Sequence, residues 1–134
     1  MRLPLVLTCL AALAACAPAQ DPVAQAALGA PRGAQYLGID TRLLDGPLVS
    51  FVVHMRGARG RTDAVTYARC AAAQYTLIRG YTFARHVRTT VTQQGDIWVA
   101  DGVYTISPDL PLGARNIDAE VIVEDCREQG IPTV

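Results

Sequence analysis

Four cysteines, at positions 9, 16, 70 and 126, constrain this chain more than any other feature. The first two lie in or beside an apolar leader. Arg2 gives it a positive start, Leu3 to Leu13 a short hydrophobic run, and Ala14-Ala15 the small residues that a signal peptidase requires. The run is shorter than the ~20 apolar residues of a membrane-spanning helix, and Pro18 and Asp21 end it. A leader of residues 1–15 would discard Cys9 and leave Cys70 and Cys126 inside the remaining chain, in a compartment where disulfides form and persist. Those two cysteines read either as a bridge or as separately buried thiols acting as small hydrophobes. With a sequence separation of 56, a bridge would be worth about 4 kcal/mol in the chain-entropy account.

Leu13-Ala14-Ala15-Cys16 has the pattern of a bacterial lipobox. That implies diacylation of the Cys16 thiol, cleavage of the bond before it, and Cys16 as the mature N-terminus. A single acyl chain binds a membrane marginally, whereas two or three hold a protein there. Ordinary secretion, with a cut after Ala17 or Ala19, is the competing expectation. Ala17 stands where an Asp would favour inner-membrane retention, so the outer membrane is the expected address, with the domain facing the periplasm of a Gram-negative cell.

Residues 17–37 are rich in Ala, Pro, Gly and Gln and show no sustained period. They read, with the lipidated Cys16, as a flexible tether over 16–37, spanning roughly 25 Å root-mean-square as a coil. Residues 38–134 then form one domain with one modest core.

Leu48 to Met55 is a strand signal, with Val49, Phe51, Val53 and Met55 on one face. The loop Arg56-Gly57-Ala58-Arg59-Gly60-Arg61 leads to a helix N-capped by Thr62 or Asp63 and stopped by Gly80 after Arg79. Its apolar stripe is Ala64, Tyr67, Ala68, Ala71, Tyr75 and Ile78, with Thr62, Thr66, Arg69 and Thr76 opposite and Cys70 on the flank. Tyr81 to Thr92 alternates with Phe83, Val87 and Val91 on one face, and Gln93-Gln94-Gly95-Asp96 turns into a strand over Ile97 to Ile106. Asp101-Gly102 suggests a bulge or local kink there. Residues 107–113 form a Pro-containing loop. Residues 116–123 fit a strand or a helix stripe of Ala119, Ile122, Val123 and Cys126; alternating acids favour a strand followed by a turn or short helix. The fold class is α+β in the order β-α-β-β-β, one helix packed on one face of a mostly antiparallel sheet, preceded by signal peptide and tether.

Thr62 to Ala72, Leu77-Ile78-Arg79-Gly80-Tyr81-Thr82-Phe83 and Asp118-Ala119-Glu120-Val121-Ile122 together resemble a family of small alphaproteobacterial lipoproteins. The resemblance covers about Gly38 to Ile131. It implies an address and an architecture, a leader, a tether and a domain whose helix ends in Gly-Tyr, and it implies no activity or ligand.

Charge is segregated along the chain. From Arg32 to Arg88 nine arginines meet Asp40, Asp45 and Asp63, while from Thr89 onward Arg115 and Arg127 meet eight acids. Either the two halves adjoin and neutralise one another, or the first forms a basic patch for anionic lipid or polysaccharide. All twelve basic residues are arginine, which with abundant alanine points to a GC-rich genome and not to nucleic-acid binding; the formal net charge is 0.

Chemistry-bearing residues are few. His54 and His86 stand on separate strands without metal-ligand spacing, and no metal or cofactor is expected. Ser50 and Ser107 lack a nucleophile elbow, Arg59-Gly60-Arg61 lacks the pattern of a phosphate loop, and a Cys70–His86 thiolate pair would be silenced by a disulfide. Trp98 and Tyr104 read as sheet aromatics or, if exposed, as a binding platform. The expectation is a non-enzymatic, lipid-anchored envelope module that binds a periplasmic protein or an envelope polymer through a sheet face or an anion-binding loop of Arg56, Arg59 and Arg61. A small periplasmic enzyme or thiol redox protein using Cys70 and Cys126 is the alternative. An inhibitor or assembly accessory of a secretion system is a third reading.

Overall fold

Alternating β-branched and aromatic residues on either side of one alanine-rich helix set the architecture. The computed structural model describes residues 29–134; the leader, Cys16 and the tether as far as Leu28 lie outside the described residues. The elements run β1 (Gln35–Leu43), β2 (Leu48–Arg56), α1 (Arg61–Ile78), β3 (Phe83–Gln94), β4 (Ile97–Ser107), β5 (Asn116–Asp118) and α2 (Ala119–Glu128). The strands form one five-stranded sheet in the order β1-β2-β4-β3-β5, with every neighbouring pair antiparallel. β2 and β3 therefore run parallel with β4 between them, and α1 makes the crossover. The α+β class and the β-α-β-β-β order stand, with the last strand shortened and followed by a helix, α2, and with β1 added before them.

β1 begins at Gln35, inside the segment read as tether. Its register slips between Tyr36 and Gly38, which breaks the period-2 alternation, and most of its residues are exposed. The last segment is strand only as far as Asp118, whose carboxylate accepts the N–H groups of Glu120 and Val121 and so caps α2. The helix stripe is the one realised, with Ala119 and Cys126 buried.

α1 starts two or three residues earlier than its sequence suggests. Gly60 is the N-cap, and Asp63, now in the first turn, accepts the backbone N–H of Arg59 at 2.7 Å. Its end is as expected: Gly80 (φ 76) donates to the Leu77 carbonyl and Tyr81 to that of Thr76, the paired bonds of a left-handed glycine stop. Ala64, Tyr67, Ala68 and Ala71 are buried, but so are Ala72, Ala73 and Thr76, while Ile78 is 59% exposed. Alanine carries too little hydrophobicity to centre a wheel, so the buried arc lies further round than the larger residues imply. Thr76 is accommodated because its hydroxyl donates to the Ala72 carbonyl at 2.7 Å.

Gly102 is no bulge. It pairs regularly with Phe51 and Thr89, and its lack of a side chain lets α1 approach: an added Cβ would stand 3.2 Å from the Ala68 Cβ and 3.0 Å from the Tyr104 ring. The slip lies instead in β3, between His86 and Arg88. It reverses parity. Before it Ala84 and His86 oppose Ile106 and Tyr104 on the helix-covered face; after it Thr89 and Val91 oppose Gly102 and Ala100. Phe83 consequently lies on the opposite face from Val91, and Val87, inside the slip, is 43% exposed, so the three do not share a face.

The core between sheet and helices combines Val49, Phe51, Val53 and Met55 of β2 with the α1 alanines, Tyr104, Ile106 and Ile117. Phe51 meets Tyr75 and Tyr104 edge-on at 5.5 and 6.1 Å. Of the two readings of Cys70 and Cys126, the bridge is the one found: they are bonded, with Cα atoms 5.9 Å apart, and join α1 to α2. Among the described residues no helix is long and apolar enough to cross a membrane.

Candidate functional site

The parity switch in β3 turns the His86 side chain toward Tyr104, their rings 5.3 Å apart, at the margin of the helix-covered face. β3 is extended past β5 by a single bond from the His86 N–H to the Arg115 carbonyl. Arg115 is the only non-glycine with positive φ among the described residues, at 66°, a conformation that costs an L-residue of order 1 kcal/mol or more and clusters at functional sites. Asn116 holds this turn: its amide nitrogen donates to the carbonyls of Pro111 and Gly113 at 2.6 and 3.0 Å. Only nitrogen can face two carbonyl oxygens, so the amide oxygen is turned the other way, where it is buried without a partner.

These residues enclose a cavity of about 240 Å³, open to solvent between α1 and the 115–117 segment. Val65 and Arg69, one turn apart on α1, form one wall; Ile117 and Arg115 form the other; Tyr104 and His86 close the floor. Arg115 and His86 also line a hollow of about 410 Å³ that Arg85, Val87, Thr105 and Ala114 complete. The ion pairs among the described residues join Arg56, Arg59, Arg88 and Arg127 to acids and leave Arg69, Arg85 and Arg115 without a carboxylate within 4.0 Å. The site is therefore electropositive. The titrating groups register it: burial first, and then the Arg115 charge, hold the His86 imidazole below its ordinary 6.5. Burial pushes the Tyr104 phenol up to about 12, against the opposing pull of Arg69 and a hydrogen bond from Thr89. Nε2 of His86 lies 2.8 Å from the Thr89 hydroxyl, which fixes the ring.

Guanidinium groups with free N–H forks beside an imidazole suit an oxyanion, and the Val65, Ile117 and Tyr104 surfaces suit an apolar body attached to it. Serine and cysteine are absent from the cavity wall.

The other residues singled out from sequence are dispersed. Arg56 pairs with Asp96 at 2.9 Å, and Arg59 binds Asp63 at 2.7 Å and the Gly29 carbonyl at 2.8 Å; Arg61 is the exposed first residue of α1. Ser50 donates to Asp101 at 2.7 Å, on the sheet face opposite the helices, which also carries His54. The Ser107 hydroxyl accepts the Asp109 N–H at 3.2 Å. Trp98 is half-buried, and Tyr104 is buried as part of the cavity floor. The sulfurs of Cys70 and Cys126 belong to residues 0% and 1% exposed. Among the described residues no group of His, Cys, Asp and Glu is placed to hold a metal. The sequence does not single out Arg69, Arg115 or Asn116 as site residues. The excess of arginine before Thr89 is the one signal that could have pointed to Arg69, and nothing local marks Arg115.

Residues 36–130 match the family model described as the YNQ4 C-terminal domain. The chain is also 31% identical over 85 residues to an uncharacterized 26.9 kDa protein in the nqo8 5′ region of Paracoccus denitrificans. That alignment covers 63% of this chain and 33% of the Paracoccus protein, so the match spans about a third of the relative's length. Both matches agree with an alphaproteobacterial family, and neither description speaks of a lipid. No solved structure matches the chain.

Proposed function

We propose that this chain, which belongs to the YNQ4 C-terminal domain family, is a lipid-anchored binding module of a Gram-negative envelope whose cavity holds a small organic anion. The observation that carries the ligand reading is that Arg69 and Arg115, without carboxylate partners, line one cavity together with His86, Tyr104 and the apolar Val65 and Ile117. The Leu13-Ala14-Ala15-Cys16 pattern supports the anchor, and Ala17 supports the outer membrane with the domain facing the periplasm. A cross-linked Cys70–Cys126 pair suits that oxidising compartment. It also favours binding over thiol chemistry, since the enclosed sulfurs offer no reactive group.

Calorimetric titration with benzoate, cyclohexanecarboxylate, phenyl phosphate and inorganic phosphate tests the ligand. Organic anions should bind, more tightly than inorganic phosphate, and Arg69→Gln and Arg115→Gln should each weaken binding about tenfold, as for loss of one charge-assisted contact. Absence of binding for every probe would remove the anion reading. Labelled palmitate should enter the full chain, and Cys16→Ser should abolish it; labelling unchanged in that variant would remove the anchor.

A further inference from the structure

The two edges of the sheet are managed differently. β5 is three residues long, whereas β1 runs for nine residues and, among the described residues, pairs with β2 alone. Beyond its register slip, Gly38–Leu43 carries neither proline nor lysine, and among the described residues no helix or loop pairs with its outer side. Natural sheets usually protect such an edge, because its free N–H and C=O groups are a template for another strand.

Which groups are free follows from the register. The Leu44 N–H donates to the Leu48 carbonyl, and on the far side of β2 the Ile106 N–H donates to the Pro47 carbonyl. In an antiparallel ladder the direction alternates residue by residue. Gly38, Asp40 and Arg42 therefore direct their backbone groups to β2, and Ile39, Thr41 and Leu43 direct theirs outward. Asp40 and Arg42 are both exposed, and neither has an ion-pair partner among the described residues.

We propose that β1 pairs with β1 of a second copy of this chain, antiparallel about a two-fold axis through Thr41, making one continuous ten-stranded sheet. Thr41 then exchanges both backbone bonds with its symmetry mate, and Ile39 does so with Leu43 in each direction. The same register sets Asp40 opposite Arg42 of the other copy twice, in the closely spaced non-hydrogen-bonded positions where side chains meet. Neighbouring registers lack this. An axis through Asp40 opposes the two aspartates, one through Arg42 opposes the two arginines, and one through Ile39 runs into the slip at Tyr36–Gly38. A two-fold contact closes on itself, so the assembly stops at two copies. Edge pairing covers less than the ~1,200 Å² of a standard interface, so the dimer belongs to the weak, concentration-dependent class.

Sedimentation equilibrium of the full chain carrying Cys16→Ser, which keeps it free of lipid, over about 10 µM to 1 mM tests the pairing in the range of such weak contacts. A monomer–dimer equilibrium is expected. Asp40→Arg or Arg42→Asp alone should weaken it at least tenfold, and the double variant Asp40→Arg/Arg42→Asp should restore it to within about threefold, since the exchange re-forms both pairs. Thr41→Pro removes an outward N–H and no bond to β2, so it should abolish dimer while leaving the melting temperature within about 2 °C. A monomer at every concentration overturns the proposal, as does a dimer that tolerates both single charge reversals or one that the double variant fails to restore.

Discussion

Helix α1 has two flanks with opposite designs. On one, Tyr67 meets Tyr36 edge-on at 4.8 Å and Cys70 is bonded to Cys126 of α2, so the contact is dry and covalently fixed. On the other, Val65 and Arg69 line a cavity with Arg115, His86 and Ile117, and among the described residues no ion pair or helix closes it. About 100° of rotation, the step from residue 69 to residue 70, separates the two conditions. A helix clamped to a second helix on one side can leave its other side unfilled without losing its place on the sheet. The open flank is where charge gathers unpaired, and the closed flank carries the stability that permits it.

The strongest way to break this comparison is to cut the clamp. Cys70→Ala and Cys126→Ala should each cost about 4 kcal/mol in urea unfolding, and the double variant little more, because all three remove one cross-link. If the flanks are independent, benzoate affinity measured under native conditions should change less than twofold. A large loss of affinity would mean that the bridge also shapes the cavity.

A smaller effect is expected where both flanks rest on the sheet. Gly102→Ala inserts a Cβ at 3.0 Å from the Tyr104 ring and 3.2 Å from Ala68, closer than packed carbons tolerate, and should cost roughly 1–3 kcal/mol. Because Tyr104 floors the cavity and α1 forms its wall, this change should also weaken anion binding, unlike loss of the disulfide. Chemical denaturation and calorimetry on the same preparation separate the two outcomes. Full stability in Gly102→Ala would show that α1 does not depend on this close approach.

The closed flank was more legible in the sequence than the open one. Val49, Phe51, Val53 and Met55 alternate cleanly and are all buried, and Gly80 ends α1 as its position implies. With Cys9 in the leader and Cys16 as the lipidated N-terminus, counting left Cys70 and Cys126 as a candidate pair, and the bridge is formed. β1 was hidden because the slip at Tyr36–Gly38 breaks its period, and the core side of β3 because a slip at His86–Arg88 exchanges the two faces midway. A one-residue slip leaves no mark in composition, yet it turns His86 toward Tyr104. The cavity joins residues from α1, β3, β4 and the 115–117 segment, and such a site exists only after the chain has folded. The arginines of the 56–61 loop drew notice because they are adjacent in sequence; Arg56 and Arg59 are paired with acids, whereas Arg69 and Arg115, far apart in sequence, are not.

The smallest expected effect is a pH dependence on the open flank. His86 has its pKa lowered from 6.5, first by burial and then by Arg115, with a backbone hydrogen bond at Arg88 acting in the opposite sense. Arg69 and Tyr104 also face the cavity it lines, and no carboxylate does. A histidine whose folded pKa lies below its unfolded value is fully favourable to folding above about pH 6.5, and that contribution is lost as pH falls from there toward the folded pKa, because the unfolded chain binds the proton first. Melting temperature should therefore fall more between about pH 7 and pH 5 in the wild type than in His86→Gln, whose side chain does not titrate. A bound anion acts with the opposite sign. Its negative charge favours the imidazolium, so the wild-type slope should flatten with saturating benzoate and benzoate should bind more tightly at the lower pH, an enhancement that His86→Gln should lack. Equal slopes in the two proteins, with and without benzoate, would mean that His86 is only a wall of the cavity and takes no part in its electrostatics.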